Sequence, residues 1–304
     1  MSNDSLLTAQ KSILANVYFK GRHDFLCCRK SYYKRPELVV LADRTFYVNG
    51  LTTCKKPLIC AECHKSYLYK ASLEIAKLEE YIQKESLHPT MITLHIPHNL
   101  SDSLKDLRLA LDKATRGLLA ESRNKLTKRI NQSVGSIGYV LRNDITLTPN
   151  GWNPHCHVVN LQKVNFSAED KNLLVDEYVH QLENSGLYLS RLDKYYMETK
   201  SNLVHFRENS YNLNYLCKHN DTLMNLAITN SERYIELAQS CNIKEKIPLV
   251  KFKNGLKSRI AKVFPSDERP EQEIRRIVLP EYISLEEVKS LSLDELKSYF
   301  PALA

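Results

Sequence analysis

Apolar positions Leu68, Ala71, Ile75, Leu78 and Ile82 recur at three- and four-residue steps, the spacing that lines one face of a helix. MITLHI (91–96) then breaks the pattern with a short apolar and β-branched run closed by Pro97, which predicts a strand. A second long helix is predicted behind an N-cap at Ser101 or Ser103, where Leu104, Leu107, Leu111, Ala114 and Leu118 form a stripe that runs on to Leu126 and Ile130. IGYVLRNDITLT (137–148) and HCHVVNL (155–161) have strand character, and the turn formers Pro149, Asn150 and Gly151 between them predict a hairpin. Ser167, with Asp170 three residues on, caps a third helix that ends near Gly186. A weaker strand at 203–206 precedes a fourth helix starting near Asn209. The order β-α-β-β-α-β-α predicts an α+β fold, a split βαβ (ferredoxin-like) antiparallel sheet covered by helices.

This pattern occupies residues 66–225. Before it, residues 1–65 are rich in Cys, Lys, Arg and Tyr and read as a small metal-stapled element; after it, residues 226–304 read as a basic, helical, possible DNA-binding region. The 304 residues are 43% hydrophobic and 26% charged, which excludes wholesale disorder and fibrous architectures. A formal net charge of +8 suits a polyanionic partner but is also compatible with a neutral one. No run of about 18 apolar residues occurs, and the first fifteen residues lack a basic segment followed by an apolar one. The expectation is a cytoplasmic protein with no membrane partner. Lys244, Lys246, Lys251, Lys253, Lys257, Arg259 and Lys262, with Phe252 among them, read either as a phosphate-neutralising stretch or as a solvated face.

Alternate side chains of a strand share a face, so His155 and His157 project together, and antiparallel pairing brings Asp144 of the other hairpin arm beside them. Two imidazoles and a carboxylate suit Mn²⁺, Mg²⁺ or Zn²⁺; without further context the same spacing also describes a half-exposed histidine pair. Tyr211, Tyr215 and Lys218 stand at i, i+4 and i+7, which would put two phenols and an ammonium on one helical face, for chemistry or for core packing. Cys54, Cys60 and Cys63, with Cys27 or Cys28 upstream or His64 in its place, supply ligands for a structural zinc ion or, on the blander reading, a set of buried thiols.

Asp144-Ile145-Thr146 followed by Asn150-Gly151-Trp152-Asn153-Pro154-His155-Cys156-His157-Val158-Val159 resembles the metal-binding motif of rolling-circle replication initiators, the HUH endonucleases of plasmids and phages. Met91-Ile92-Thr93-Leu94 is similar to their first motif, and residues 211–218, YNLNYLCK, to their nicking-tyrosine segment in its two-tyrosine form. The cysteine cluster resembles the N-terminal zinc element of the Gram-positive-type plasmid initiators. The matches fall in the family's order over residues 27–222. The chain departs from the pattern at Asn153, where a histidine is frequent, at Ala61, where the family has proline, at Asn214, where a lysine is common, and at Asp144, where glutamate is usual.

The resemblance implies a site-specific single-strand DNA nickase and joining enzyme. His155, His157 and Asp144 would hold Mg²⁺ or Mn²⁺, and Tyr215 would attack the scissile phosphate to leave a 5′-phosphotyrosine and a free 3′-hydroxyl. Tyr211 would receive the strand at the end of a round or only position DNA, Lys218 would contact or activate the phosphate, and Cys28, Cys54, Cys60 and Cys63 would bind Zn²⁺. The partners implied are a replication origin, single-stranded or extruded as a cruciform. No G-x4-G-K-[ST] motif is present, so the resemblance also implies a separate helicase alongside a DNA polymerase. A transposase or relaxase with the same chemistry, and a non-catalytic origin-binding protein, are the alternatives. If the cysteines hold zinc, a chelator strong enough to remove it makes residues 27–65 the first to be cleaved by protease; unchanged resistance there supports buried thiols.

Overall fold

The computed structural model describes residues 57–186, 202–218, 220–241 and 250–264, three strands outside those ranges, and residues 6, 8–10 and 12–14 near the N-terminus. The chain first forms β1 (Glu37–Val40) and β2 (Phe46–Asn49), then α1 (Ala61–Lys84) and β3 (His88–His95). Next come α2 (Leu104–Leu119), α3 (Lys125–Ser133), β4 (Gly138–Thr148), β5 (Gly151–Gln162) and α4 (Ala168–Asn184). β6 (Val204–Arg207), α5 (Asp221–Thr229), α6 (Ser231–Ser240), β7 (Val250–Phe252), α7 (Leu256–Val263) and β8 (Arg275–Val278) complete the order. The architecture is α+β, built on a five-stranded antiparallel sheet of order β6-β3-β5-β4-β7. Among the described residues no helix is long and apolar enough to cross a membrane.

β5, the middle strand of the sheet, is buried along almost its whole length. β5 alternates His155, His157 and Val159 on one face with Pro154, Cys156 and Val158 on the other, and every residue from Pro154 to Gln162 is buried. α2 and α4 pack on one another, and α2 covers β5. The phenol of Tyr178, wholly buried in α4, donates to the main-chain oxygen of His95 at 2.9 Å. α1 contributes Ile75 and Leu78, both with no exposed surface. Its N-cap, Cys60, makes no side-chain cap. Gln10, 1% exposed, instead accepts from Ala61 N at 3.1 Å and donates to Met224 O at 2.9 Å, which ties the N-terminal stretch to α1 and α5.

The predicted Ser167–Asp170 capping box is present, as is the Ser103 cap of α2. Two expectations are corrected. The stripe through Leu118, Leu126 and Ile130 is two helices, because Asn124 caps a new one by accepting from Thr127 N at 3.0 Å. The helix expected from Asn209 is an irregular segment with a single 3₁₀ turn at Asn214–Cys217. Its amides are claimed by side chains before a helix can use them: Glu79 accepts from Leu213 N at 2.6 Å and Asn212 accepts from Asn214 N at 3.1 Å.

The divisions expected at 65 and 225 fall inside α1 and α5. β7 pairs with β4, and Tyr234 and Leu237 of α6 are wholly buried, with Tyr234 donating to Ile59 O, so residues 226–264 complete the same core. β8 pairs with β1 in a second, three-stranded sheet that joins the N- and C-terminal regions. Residues 284–300, SLEEVKSLSLDELKSYF, whose apolar positions repeat at helical spacing, lie outside the described residues.

Gly151 closes the β4–β5 turn with φ of +102°, and a Cβ there would stand 2.8 Å from the main-chain oxygen of Asn99. Gly151→Ala is expected to lower the unfolding free energy by about 1–3 kcal/mol. An unchanged urea midpoint would show that this approach does not constrain the hairpin.

Candidate metal and tyrosine site

Antiparallel register places Asp144 directly opposite His155 and Arg142 opposite His157, while on the other side of β5 Thr93 faces His157 and His95 faces His155. With a side-chain period of two, all of these project from one face of the sheet. One ligand atom from each of Asp144, His155 and His157 lies within 4.8 Å of the others, a cluster that could hold a metal ion. His155 and His157 are 7% and 4% exposed and Asp144 is part-buried, so the donors converge in a place largely withdrawn from water.

Hydrogen bonds orient these imidazoles. His155 Nδ1 lies 3.1 Å from the main-chain oxygen of Asn153. A carbonyl only accepts, so the proton is on Nδ1 and the Nε2 lone pair is left for a cation. His157 Nδ1 is 3.0 Å from Thr93 Oγ1 and its Nε2 is 3.1 Å from the Tyr215 hydroxyl. In the tautomer protonated at Nδ1, Thr93 accepts and Nε2 accepts from the Tyr215 hydroxyl, so a metal taken at Nε2 would replace that hydrogen bond. Burial, reinforced by His155, pushes the pKa of His157 down to about 3; burial, then His155 and His205, push that of His95 down to about 4. Neutral imidazole is the form that ligates.

Tyr215 comes from the 3₁₀ turn and stands edge-on to His157, ring centroids 4.8 Å apart. Its ring is 41% exposed, so one side meets the cluster and another meets solvent. Burial and then the Asp144 carboxylate raise the phenol pKa, with Arg142 opposing them. Four hydrogen bonds fix the segment that carries Tyr215. Arg142 donates from Nη1 to Tyr215 O at 3.1 Å and from Nη2 to Lys218 O at 2.9 Å. Asn220, which caps α5, donates from Nδ2 to Ile145 O at 2.8 Å and to Asp144 Oδ1 at 3.2 Å.

The structure thus brings together Asp144, His155, His157 and Tyr215. Tyr211 and Lys218 are not brought in: without a continuous helix their spacing no longer implies a shared face. Tyr211 is 47% exposed, and its ring makes no hydrogen bond or ring contact among the described residues. Lys218 joins through its main-chain oxygen. Cys60 and Cys63 are buried at the start of α1, whereas Cys27, Cys28 and Cys54 lie outside the described residues. His64 Nδ1 donates to Pro57 O at 2.8 Å, and its Nε2 accepts from Asn220 N at 3.4 Å.

Sequence reasoning missed Thr93, His95, Arg142 and Asn220. Arg142 and Thr93 carried a usable signal, since each is reached from a metal-ligand position by period two or by strand pairing. Asn220 carried none.

In the unfolded chain His95 and His157 return to the usual 6.5, so below that pH the unfolded state binds more protons than the folded one. The stability owed to their neutral burial is complete above pH 6.5 and is lost as pH falls from there to about 4 for His95 and about 3 for His157. The urea midpoint of metal-free protein is expected to drop between pH 7 and pH 5, with a slope approaching about 1.4 kcal/mol per pH unit for each histidine. His157→Gln should flatten the drop; equal midpoints at the two pH values would contradict the neutral assignment.

Comparisons with protein-family models, with curated proteins and with solved structures find no match for this chain.

Proposed function

We propose that this protein is a metal-dependent, site-specific single-strand DNA nickase and strand-joining enzyme that initiates rolling-circle replication. One observation carries the reading: a tyrosine hydroxyl lies 3.1 Å from the Nε2 of an imidazole that belongs to a two-histidine, one-carboxylate cluster. A purely structural tyrosine has no need of a solvent-facing side and a metal-ligand neighbour, whereas a nucleophile needs both. The fold supports the same reading. The order β6-β3-β5-β4, with helices in the β3–β4 and β5–β6 connections, is the order a split βαβ fold would have, and the cluster sits on the β4–β5 hairpin.

Asp144, His155 and His157 would hold Mg²⁺ or Mn²⁺; when bound, such an ion polarises a phosphate oxygen and favours the phenolate over the phenol. The donor set fits: Asn153 O leaves the Nε2 lone pair of His155 open, that of His157 becomes a ligand once the Tyr215 hydroxyl gives up its hydrogen bond to it, and the carboxylate is the hard ligand these ions prefer. Tyr215 loses its proton, and its oxygen forms a bond to phosphorus while the bond from phosphorus to the 3′ oxygen breaks. The 3′ oxygen takes up a proton and leaves as a hydroxyl able to prime synthesis; the 5′ phosphate stays on Tyr215. Attack by a 3′-hydroxyl on that phosphotyrosine reverses the step and rejoins the strand. Burial and Asp144 keep the phenol protonated in metal-free protein, so nucleophile and cation are expected to become active together. Tyr211, exposed and apart from the cluster, is assigned no obligatory part in the first cleavage.

Incubation of supercoiled plasmid bearing the replicon's origin should give open-circular product with Mn²⁺ and none with chelator. His155→Ala, His157→Ala and Tyr215→Phe should each lower the rate by at least about a hundredfold, while Tyr211→Phe keeps the first nick. Binding of that origin without nicking at any Mn²⁺ concentration would replace this reading with a non-catalytic origin-binding protein.

A further inference from the structure

Arg142 has only 2% of its surface exposed, yet nothing in the metal reading requires a guanidinium there. Burying such a charge is costly unless it is paired and its donors are used; its ion pair with Asp144 Oδ2 is a long one at 3.5 Å, and its Nε has no hydrogen-bond partner among the described residues. Its two good bonds go instead to main-chain oxygens three residues apart, Tyr215 O and Lys218 O. The first lies within, and the second just after, the 3₁₀ turn that carries the proposed nucleophile. Arg142 lies on β4, two residues from Asp144 and opposite His157. One side chain therefore bridges the strand that holds the cluster and the turn that holds the phenol.

We propose that Arg142 is a positioning residue with two separable effects. Its planar fork, able to reach two carbonyls at once, holds the Tyr215 turn against the metal face. Its charge, beside Asp144 and His157, opposes a divalent cation in the cluster and so weakens metal binding relative to a neutral side chain. Lysine keeps the charge but cannot span both carbonyls. Methionine removes the charge and the fork together while keeping an unbranched, apolar stem. The activity arm of this proposal rests on the nickase reading; the metal-affinity and exchange arms do not.

The test compares full-length wild type, Arg142→Lys and Arg142→Met in three measurements: Mn²⁺ affinity by calorimetry, amide hydrogen exchange over residues 214–220, and single-turnover formation of the protein–DNA adduct. Both variants should exchange faster over 214–220 than wild type, and both should form adduct on the order of a hundredfold more slowly while binding origin DNA within about twofold of wild type. Mn²⁺ affinity should be unchanged in Arg142→Lys and about tenfold tighter in Arg142→Met. Wild-type exchange and wild-type adduct rates in Arg142→Lys would overturn the positioning role. Unaltered Mn²⁺ affinity in folded Arg142→Met would overturn the electrostatic one. If Arg142→Met fails to fold, Arg142→Gln carries the charge test. Absence of adduct in wild type itself would count against the nickase reading, and exchange and affinity would still decide the role of Arg142.

Discussion

The register of the β4–β5 hairpin is the constraint on which the site depends. Thr148 pairs with Gly151 across a two-residue turn, and that pairing alone sets Asp144 against His155 and Arg142 against His157. A slip of one residue would turn every one of these side chains to the opposite face of the sheet, exchanging them for Cys156 and Val158. The register is held from both ends. At the turn, Gly151 lets the backbone of Asn99 approach more closely than any other residue would allow. Along the strands, the apolar face of β5 is sealed by α2, so exposing it would cost the burial of Cys156 and Val158, which have almost no exposed surface.

The hairpin supplies a cluster that could hold a metal ion, but the proposed nucleophile arrives from a segment with little structure of its own. A single 3₁₀ turn between an irregular stretch and α5 cannot fix a phenol by internal hydrogen bonds. The fixing is tertiary: Arg142 and Asn220 bind the segment to β4, Glu79 of α1 binds it at Leu213, and His64 receives the Asn220 amide. His64 lies in the first turn of α1, next to Cys63, so the start of α1 is connected to the Asp144 carboxylate through two side chains, His64 and Asn220. The electrostatics around the phenol are balanced as well. Burial and Asp144 favour the neutral form, Arg142 disfavours it, and a cation at the cluster would add its weight to Arg142.

Much of this was legible because it depends on local rules. Period-two alternation and a Pro-Asn-Gly turn suffice to place Asp144 beside the two histidines, and the Ser167 and Ser103 caps were visible as short patterns. The tyrosine segment was misread as a helix because its spacing is helical while its amides are spent on Asn212 and on Glu79, more than a hundred residues away in sequence. The same limit hid the pairing of β1 with β8 and the return of β7 to the edge of β4, since strand pairing over such separations leaves no local periodicity to read. Arg142 looked like an ordinary strand residue, and only its burial and its two carbonyl partners mark it out.

The central claim is that Tyr215 is the nucleophile beside this cluster. Its most direct test is covalent capture: protein incubated with single-stranded origin DNA and Mn²⁺, digested with protease, and the peptide attached to DNA identified by mass spectrometry. The account predicts a 5′-phosphotyrosine at Tyr215 in wild type and in Tyr211→Phe, and none in Tyr215→Phe. Attachment at Tyr211, or no attachment to DNA that the protein demonstrably binds, would contradict it.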